Sequence, residues 1–311
     1  MSKRTIGLGA AGAAVVLFAL GVVLFVPQLV YPPPPGLDLR TVTEPQARVV
    51  LQRESSQTAL RSSLLQFFGG LLLAAGGAVT WYQVRVNRDG QITDRYSRAV
   101  EHLANDNADV RIGGLYVLER ISKDSRKDRR FVQVTIGSFV RNRVPWAVGS
   151  PDGPEHPTPT VDERLPWLRM RAPDVQTALA ILGRRPEPPE ALTLRLSRVD
   201  LRGVQLENQQ LVGADLRRSN LARAWLRGTR LDGCDFHAAD LRKASLVGAS
   251  LRKASLRNAH LEGADLTSAD LAEADLHGAH SDATTVWPSG LTPDVLRHRG
   301  VIGSTASPPS D

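Results

Sequence analysis

The chain has 311 residues, one cysteine and a formal charge of +7, with 42% hydrophobic, 23% charged and only 5% aromatic residues. These values exclude a collagen-like chain, a wholly disordered chain and a disulfide-stabilised scaffold, because a single cysteine cannot form an internal bridge. The residues are strongly zoned along the chain, and each zone predicts a different kind of structure.

The N-terminal region contains two apolar stretches long enough to cross a membrane. The first, Ile6 to Val26, would reach about 30 Å as a helix, which is the thickness of the hydrocarbon core. The second, residues 62–84, has no charged residue and ends near Trp81 and Tyr82, which suit the headgroup region. A cleaved signal peptide is the alternative for the first stretch, and a buried core helix is the alternative for the second. The prediction is a short N-terminus over 1–5, transmembrane helices over 6–30 and 62–84, and a connecting loop over 31–61.

The cations beside these stretches predict their orientation. Six Lys and Arg residues adjoin the two outer ends, and four Arg residues lie in the connecting loop. Because cytoplasmic segments carry the excess of cations, this small difference favours both termini on the cytoplasmic side.

Residues 85–148 are predicted to form a basic juxtamembrane helical domain. They contain 13 Lys and Arg against 8 Asp and Glu, and apolar residues at helical spacing predict helices over 92–104, 109–122 and 128–142. Gly113 and Gly114 predict a close contact between helices. The basic residues are either a solvated surface or a contact for anionic lipid headgroups. The candidates for the lipid contact are Arg85, Arg88, Lys123, Arg126, Lys127, Arg129 and Arg130.

Residues 149–190 are predicted to be a proline-rich linker that contains one short helix. Pro173 and Asp174 favour the start of this helix, and Gly183 favours its end. We expect this short helix to cover the N-terminal end of the domain that follows.

The next region repeats every five residues. From Leu196 to Leu276 every fifth residue is Leu except Phe236, which makes 17 consecutive positions. A five-residue step would spread these leucines around an α-helix or place them on alternate faces of a strand. The chain must therefore bend once in every repeat, in the same sense each time.

The other positions of the repeat agree with a regular bend. The residue two before the Leu is Ala in ten of 17 repeats, and the residue one before it is Asp in seven. Every glycine between residues 191 and 280 lies two residues after the inward position, where a turn with positive φ is expected. No proline occurs from Glu190 to Trp287, as expected for a ladder that uses the backbone N–H groups.

The run ADLRKASLVGASLRKASLRNAHLEGADLTSADLAEADL resembles the A(D/N)LXX pentapeptide-repeat proteins. The resemblance implies a right-handed four-sided parallel β-helix over 191–281, with four pentapeptides per coil and about four coils in a rod about 20 Å tall. The upstream run GQITDRYSRAVEHLANDNADVRIGGLYVLERISKDS resembles a membrane-anchored bacterial subgroup, which implies a bacterial plasma membrane. Residues 282–311 are predicted to be a C-terminal cap followed by a disordered tail.

The sequence contains no motif that predicts an enzyme, so we expect no catalytic residue and no cofactor. Cys234 occupies an inward position and is interpreted as a small buried hydrophobe. His260 and His280 are 20 residues apart and should stack in a four-sided coil, but two ligands without a carboxylate are a weak metal site. We therefore expect no metal.

The functional hypothesis is a non-enzymatic, membrane-anchored interaction or scaffold protein that presents the solenoid to a cytoplasmic protein partner. The family resemblance also implies DNA mimicry as a candidate activity, and this activity needs an acidic rod. Residues 191–281, however, have 13 Lys and Arg against 11 Asp and Glu. Neither mimicry nor nucleic acid binding is expected. An acidic partner is expected to bind at Arg217, Arg218, Arg242, Lys243, Arg252, Lys253 and Arg257. The alternative is a homo-oligomeric membrane assembly or pore component, although neither apolar stretch has a charged residue to line a conduction path.

Overall fold

The computed structural model describes residues 3–32, 44–147, 160–185 and 193–303. The chain divides into two compact units, Met1–Gly90 and Gln91–Asp311. The predicted disordered tail from residue 304, the two ends of the proline-rich linker (149–159 and 186–190) and residues 33–43 of the predicted connecting loop lie outside the described residues.

The first unit contains α1, Lys3–Val30, and the N-terminal part of α2, Glu44–Leu103. The Tyr31 carbonyl accepts hydrogen bonds from Arg53 Nε and Gln57 Nε2, both at 2.9 Å, which tie the end of α1 to α2. The prediction of a loop over 31–61 is wrong from Glu44 onward, because those residues already belong to α2. No proline or glycine occurs in residues 46–61, so nothing interrupts a helix there.

One helix of the described residues is long and apolar enough to cross a membrane, Arg48–Leu103, and it includes the predicted second span. Its most apolar 18-residue window has a mean hydropathy of 1.5 and is 0% buried. A shorter apolar helix covers Val15–Val30. Among the described residues, the structure therefore supports one helix of membrane-spanning length and does not show two transmembrane helices.

The second unit begins with the last turns of α2, followed by α3, Ala108–Asp124, and α4, Arg129–Arg143. The Asn107 side chain caps α3 by accepting the Asp109 N–H at 2.8 Å. Gly114 permits the close contact expected from the sequence, since a Cβ there would lie 2.9 Å from the Ala99 carbonyl oxygen. Gly113 faces open space and contributes nothing to it.

The helices predicted over 92–104, 109–122 and 128–142 are present. The first is not a separate helix but the end of α2, because residues 85–91 continue the helix without a break. In α4, Phe131 and Val134 are exposed, and the buried face is Val132, Ile136, Phe139 and Val140. The spacing of apolar residues is helical for both sets, so the pattern alone could not identify the packed face.

Two short helices lie between α4 and the solenoid: α5, Leu168–Arg171, and α6, Pro173–Gly183. The helix α6 has the predicted bounds. Its Asp174 carboxylate is 1% exposed and pairs with Arg111 Nε of α3 at 2.6 Å and Arg143 Nε of α4 at 3.3 Å. This ion triad joins three helices at one buried point.

The repeat region folds into a four-sided parallel solenoid. From Arg195 to His260, each residue that precedes an inward residue bridges the residue 20 positions further along, so that Asp215 lies between Arg195 and Asp235. A coil therefore contains four pentapeptides, as expected. We number the sides by their inward residues: side 1 holds 196, 216, 236, 256 and 276; side 2 holds 201, 221, 241 and 261; side 3 holds 206, 226, 246 and 266; side 4 holds 211, 231, 251 and 271.

The interior of the solenoid is built from the two inward positions of each repeat. The Leu and Phe residues and the Ala residues two before them are buried, except that Ala274 is partly buried. Where Ser or Thr replaces Ala, its hydroxyl group bonds a backbone carbonyl: Ser219 Oγ donates to Leu196 O and Thr229 Oγ1 to Leu206 O, both at 2.7 Å. These hydrogen bonds remove the cost of burying a hydroxyl group.

The helical segments cap the first coil on all four sides. Arg141 donates to Arg195 O on side 1, and Asp200 N donates to Val144 O on side 2. On side 3 the Gln176 amide makes two hydrogen bonds with the Gln205 backbone, at 2.6 and 3.1 Å. On side 4 Gln210 N donates to Gly183 O at 3.1 Å. The expected cover for the N-terminal end is present, and it involves the basic helical domain as well as α6.

The C-terminal cap continues the ladder after a one-residue insertion, with Val286 bridging Asp265. Helix α7, Pro293–His298, then buries Leu296, and the chain returns as β2, Ile302–Gly303. Strand β2 pairs in parallel with β1, His280–Ser281. The last coil is thus closed by residues that follow the repeats.

Candidate functional site

The outward corners of the solenoid have a fixed backbone. The residue two after each inward residue has positive φ in all 17 repeats from Arg198 to Gly278, at 53–59° for ten side-chain-bearing residues and 62–72° for seven glycines. The prediction from the glycine positions is confirmed. Because this backbone is fixed, the directions in which Arg198 and Arg218 leave the corner are fixed as well.

Side 1 carries a cationic groove with a volume of about 380 Å³. Three successive coils contribute the residues that line it, which are Ser197, Arg198, Arg217, Arg218 and His237. The three arginines are exposed, so their guanidinium groups are accessible from solvent. We call this site the side-1 groove.

The side-1 groove carries a positive charge, although Arg217 is paired with acidic residues. Arg217 binds the Asp215 carboxylate with Nε and Nη2, both at 2.8 Å, and lies 3.5 Å from Asp235. The Arg217 guanidinium lowers the pKa of Asp215, and this carboxylate in turn raises the pKa of Arg217. No ion pair of the described residues involves Arg198. The groove therefore presents more cationic than anionic groups and suits an anionic ligand group.

The structure divides the predicted partner-binding residues among three sides. Arg217, Arg218 and Arg257 belong to side 1, Arg242 and Lys243 to side 2, and Arg252 and Lys253 to side 4. Most of them pair with nearby acids, as follows: Arg242 with Asp240, Lys243 with Glu163, Arg252 with Asp270, Lys253 with Glu273 and Arg257 with Asp275. They do not form one surface. Arg242 is also only 8% exposed, so its ion pair with Asp240 stabilises the solenoid instead of forming a binding surface.

Ser197, Arg198 and His237 line the side-1 groove but are not among the predicted partner-binding residues. The information was nevertheless present, because residues 197, 217 and 237 are 20 apart and must align once four pentapeptides form a coil. Arg198 and Arg218 align for the same reason.

The predicted lipid-contact residues are mostly exposed. Arg85 and Arg88 lie on α2, where Arg85 stacks on the Trp81 ring at 5.5 Å. Lys123, Arg126, Lys127 and Arg130 are exposed around the α3–α4 turn, and Lys123 pairs with Glu119 at 3.1 Å. Arg129 differs, because its Nε donates to Ser122 O at 2.9 Å and holds the turn together.

The cysteine and the two stacked histidines have structural roles in the solenoid. Burial raises the pKa of the Cys234 thiol to about 12, and its Sγ donates to Leu211 O at 3.0 Å. His260 and His280 stack as expected, with ring centroids 4.8 Å apart and an interplanar angle of 12°. Among the described residues there is no group of three or more His, Cys, Asp or Glu that could hold a metal ion.

The fold and its corner-mounted side chains define a class of protein, the four-sided β-solenoid. The family described as Pentapeptide repeats matches the chain in eight copies, over residues 195–233, 219–258 and 244–280. The match covers less than a third of the chain and coincides with the observed ladder. The chain is therefore a pentapeptide-repeat protein, and the expected right-handed four-sided β-helix is confirmed.

Several solved structures are similar to the repeat region. Rfr23 from the cyanobacterium Cyanothece 51142 is 33% identical, with 34% of this chain and 78% of that chain covered and a TM-score of 0.32. The protein alr5209 from Nostoc PCC 7120 is 33% identical, with 36% and 86% covered and a TM-score of 0.23. A pentapeptide-repeat protein from the Arabidopsis thaliana thylakoid lumen is 27% identical, with 33% and 69% covered and a TM-score of 0.23. None of the curated proteins compared with the sequence matches it.

Proposed function

We propose that this protein is a non-enzymatic, membrane-anchored interaction protein whose side-1 groove binds an acidic segment of a cytoplasmic protein. The observation that carries the proposal is the convergence of Arg198, Arg217 and Arg218 with His237 and Ser197 around one open groove. Guanidinium groups bind carboxylates in a bidentate manner, which gives such a groove both affinity and geometric selectivity.

The rigid backbone of the solenoid supports this function. Residues 198 and 218 occupy the same corner of consecutive coils, about 4.8 Å apart along the rod. The cations are therefore held in place before a partner binds. The groove loses less conformational freedom on binding than a mobile basic loop would lose.

The membrane anchor of the proposal consists of two spans, 6–30 and 62–84. Support comes from the exposure of the apolar side chains in the second span, for example Phe67, Leu73 and Val79, which are 63%, 80% and 68% exposed. Such side chains are stable in contact with lipid and costly in water. Arg85 and Arg88 directly follow this span and are proposed to contact lipid headgroups, as are the exposed cations of the α3–α4 turn.

The test of the proposed function is site-specific photocrosslinking of the full-length protein in its native membrane. A photoreactive amino acid replaces Ser197, and crosslinked proteins are identified by mass spectrometry. We expect an acidic cytoplasmic partner whose crosslinking is lost in the double variant Arg198→Glu/Arg218→Glu. The matched control is Arg227→Glu, an exposed arginine on side 3, which should leave the crosslink unchanged.

Two outcomes would contradict the proposed function. Crosslinks only between copies of this chain would favour the homo-oligomeric assembly. Equal crosslinking in the groove variant and the control would show that the partner does not use the side-1 groove.

A further inference from the structure

A segment of the chain itself lies on another corner of the solenoid, between sides 2 and 3. Residues 161–165, which we call the strap, have the sequence VDERL and precede Trp167. This corner is formed by Gly203, Arg223 and Lys243, which are 20 residues apart and hence on consecutive coils. The side-1 groove lies on a different side and includes none of these residues.

Each of the three coils makes a different contact with this segment. Trp167 packs on Gly203, where a Cβ would lie 2.9 Å from the ring. Arg223 Nη1 donates to Leu165 O at 3.1 Å and to Asp162 O at 3.4 Å, and Lys243 Nζ donates to the Glu163 carboxylate. The strap thus follows the corner along the axis of the rod.

An aromatic cluster holds the end of the strap. The Trp167 ring meets Trp225 edge to face at a centroid distance of 5.1 Å, and the Arg223 guanidinium lies 4.7 Å from the centre of the Trp167 ring. Trp225 is 41% exposed, whereas tryptophan side chains are on average highly buried in proteins. Leu168 follows directly and is fully buried, so the segment after the strap belongs to the fixed structure.

The strap itself is held less firmly than its anchor. Asp162, Glu163 and Arg164 are exposed, and the carboxylate contact with Lys243 is an exposed ion pair, a class that contributes little to stability. The hydrogen bond and charge of Lys243 lower the pKa of Glu163. A bound acidic segment that can be released is the arrangement expected of an intramolecular competitor.

We propose that the corner formed by Arg223 and Lys243, beside the fixed Trp167, is a second docking site, for an extended acidic segment of a protein partner, and that the strap occupies this site until the partner displaces it. The contacts of the strap define the chemistry of the occupant, which offers a carboxylate to Lys243 and two backbone carbonyls to Arg223. In the strap these groups lie within four residues, from Asp162 to Leu165. The proposal does not depend on the side-1 groove.

The first test measures binding of a fluorescent synthetic peptide with the sequence of residues 160–165. It uses the full-length protein in nanodiscs, and anisotropy reports binding. The tethered strap competes at an effective concentration on the order of 1 mM, so the wild-type protein should bind the peptide weakly. The variant Asp162→Lys/Glu163→Lys, which alters two exposed residues and removes no packing, should bind it at least about tenfold more tightly.

A matched pair of substitutions locates the binding. Adding Lys243→Glu to the opened variant should abolish the gain, whereas adding Lys253→Glu, an equally exposed lysine on side 4 paired with Glu273, should preserve it. Equal peptide binding by the wild-type and opened proteins would overturn the proposal. Binding that survives Lys243→Glu would overturn it as well.

A second test needs no peptide and remains valid if the opened variant folds poorly. Trypsin should cleave after Arg164 only when the strap has been released from the corner and can enter the active site of the protease. We expect cleavage there to be several-fold faster in Lys243→Glu than in the wild-type protein or in Lys253→Glu. Unchanged cleavage would show that Lys243 does not hold the strap. Failure of the side-1 crosslinking experiment would leave both of these results unaffected.

Discussion

At the scale of the residue, the repeat is an arrangement that uses every backbone N–H group. In the repeat centred on Leu216, four N–H groups bond backbone carbonyls, either in neighbouring coils or three residues earlier in the turn. The fifth, that of Arg217, donates to the Asp215 carboxylate at 3.2 Å. All seven Asp residues at this position make the same bond. The preference for Asp or Asn there is thus explained by one backbone donor that the ladder leaves over.

The buried thiol gives the prediction at this scale. Burial raises the pKa of Cys234 to about 12, whereas an unfolded thiol has a pKa of about 8.5. The contribution of the thiol to stability is therefore complete below about pH 8.5 and is lost as the pH rises toward 12, by at most about 1.4 kcal/mol per pH unit.

Denaturant unfolding of the full-length protein should show this loss between about pH 8 and about pH 10. The variant Cys234→Ala is the control, because Ala occupies this inward position in most repeats and cannot ionise. The free energy of unfolding of the wild-type protein relative to the variant should fall with pH. A constant difference would mean that the folded protein exposes the thiol.

At the scale of the element, the helices preceding the solenoid form its N-terminal cap. An open coil would leave a row of unpaired N–H and C=O groups, which invites edge-to-edge association. Here Val144, Gln176 and Gly183 satisfy sides 2, 3 and 4. Residues of the basic domain predicted over 85–148 therefore cap the solenoid, which is a structural role besides any contact with lipid.

The ion triad at Asp174 gives the prediction for this cap. Asp174→Asn leaves Arg111, which is 5% exposed, as a buried cation without its carboxylate. Breaking one partner of a buried pair costs about 3–5 kcal/mol. The matched control is Asp294→Asn in α7, where the exposed pair with Arg297 should contribute about 0–1 kcal/mol.

Urea unfolding of the full-length protein in detergent, followed by tryptophan fluorescence, measures both substitutions. A loss for Asp174→Asn no larger than that of the control would show that the triad does not hold the cap together.

At the scale of the whole molecule, one continuous hydrophobic core runs through the second unit. It begins at Ala99 and Leu103, passes through α3, α4 and α6, and continues along the solenoid to Leu296. The helical domain, the coils and the C-terminal cap therefore share one core, and a partner that binds the corners meets a rigid support.

The proposed membrane topology gives the prediction at this scale. In a Cys234→Ala background, a single cysteine replaces either Glu54 or Arg227, both of which are exposed. A membrane-impermeant maleimide added to bacterial spheroplasts that express the protein should label Glu54→Cys at once. Arg227→Cys should be labelled only after permeabilisation. The reverse pattern would contradict cytoplasmic termini, and immediate labelling of both would contradict two spans.

The sequence by itself determined the solenoid. A five-residue period can be buried only by a chain that bends once per repeat, so the inward Leu and Ala positions and the positive φ of Gly213 followed from local rules. The stack of His260 on His280 followed from the four pentapeptides per coil that the family resemblance implies. The two apolar stretches were equally evident, whereas the extent of α2 into residues 44–61 was not.

Only the tertiary structure decided which surfaces remain available. Which cations face solvent depends on what lies across a corner or packs from another part of the chain. Lys243 is covered by Glu163, 80 residues away, and Arg242 is buried against Asp240, while Arg198 and Arg218 open onto one groove. Long-range contacts of this kind have no periodicity in the sequence. The period therefore fixed the scaffold, and the packing of the cap and the strap on it selected the sites.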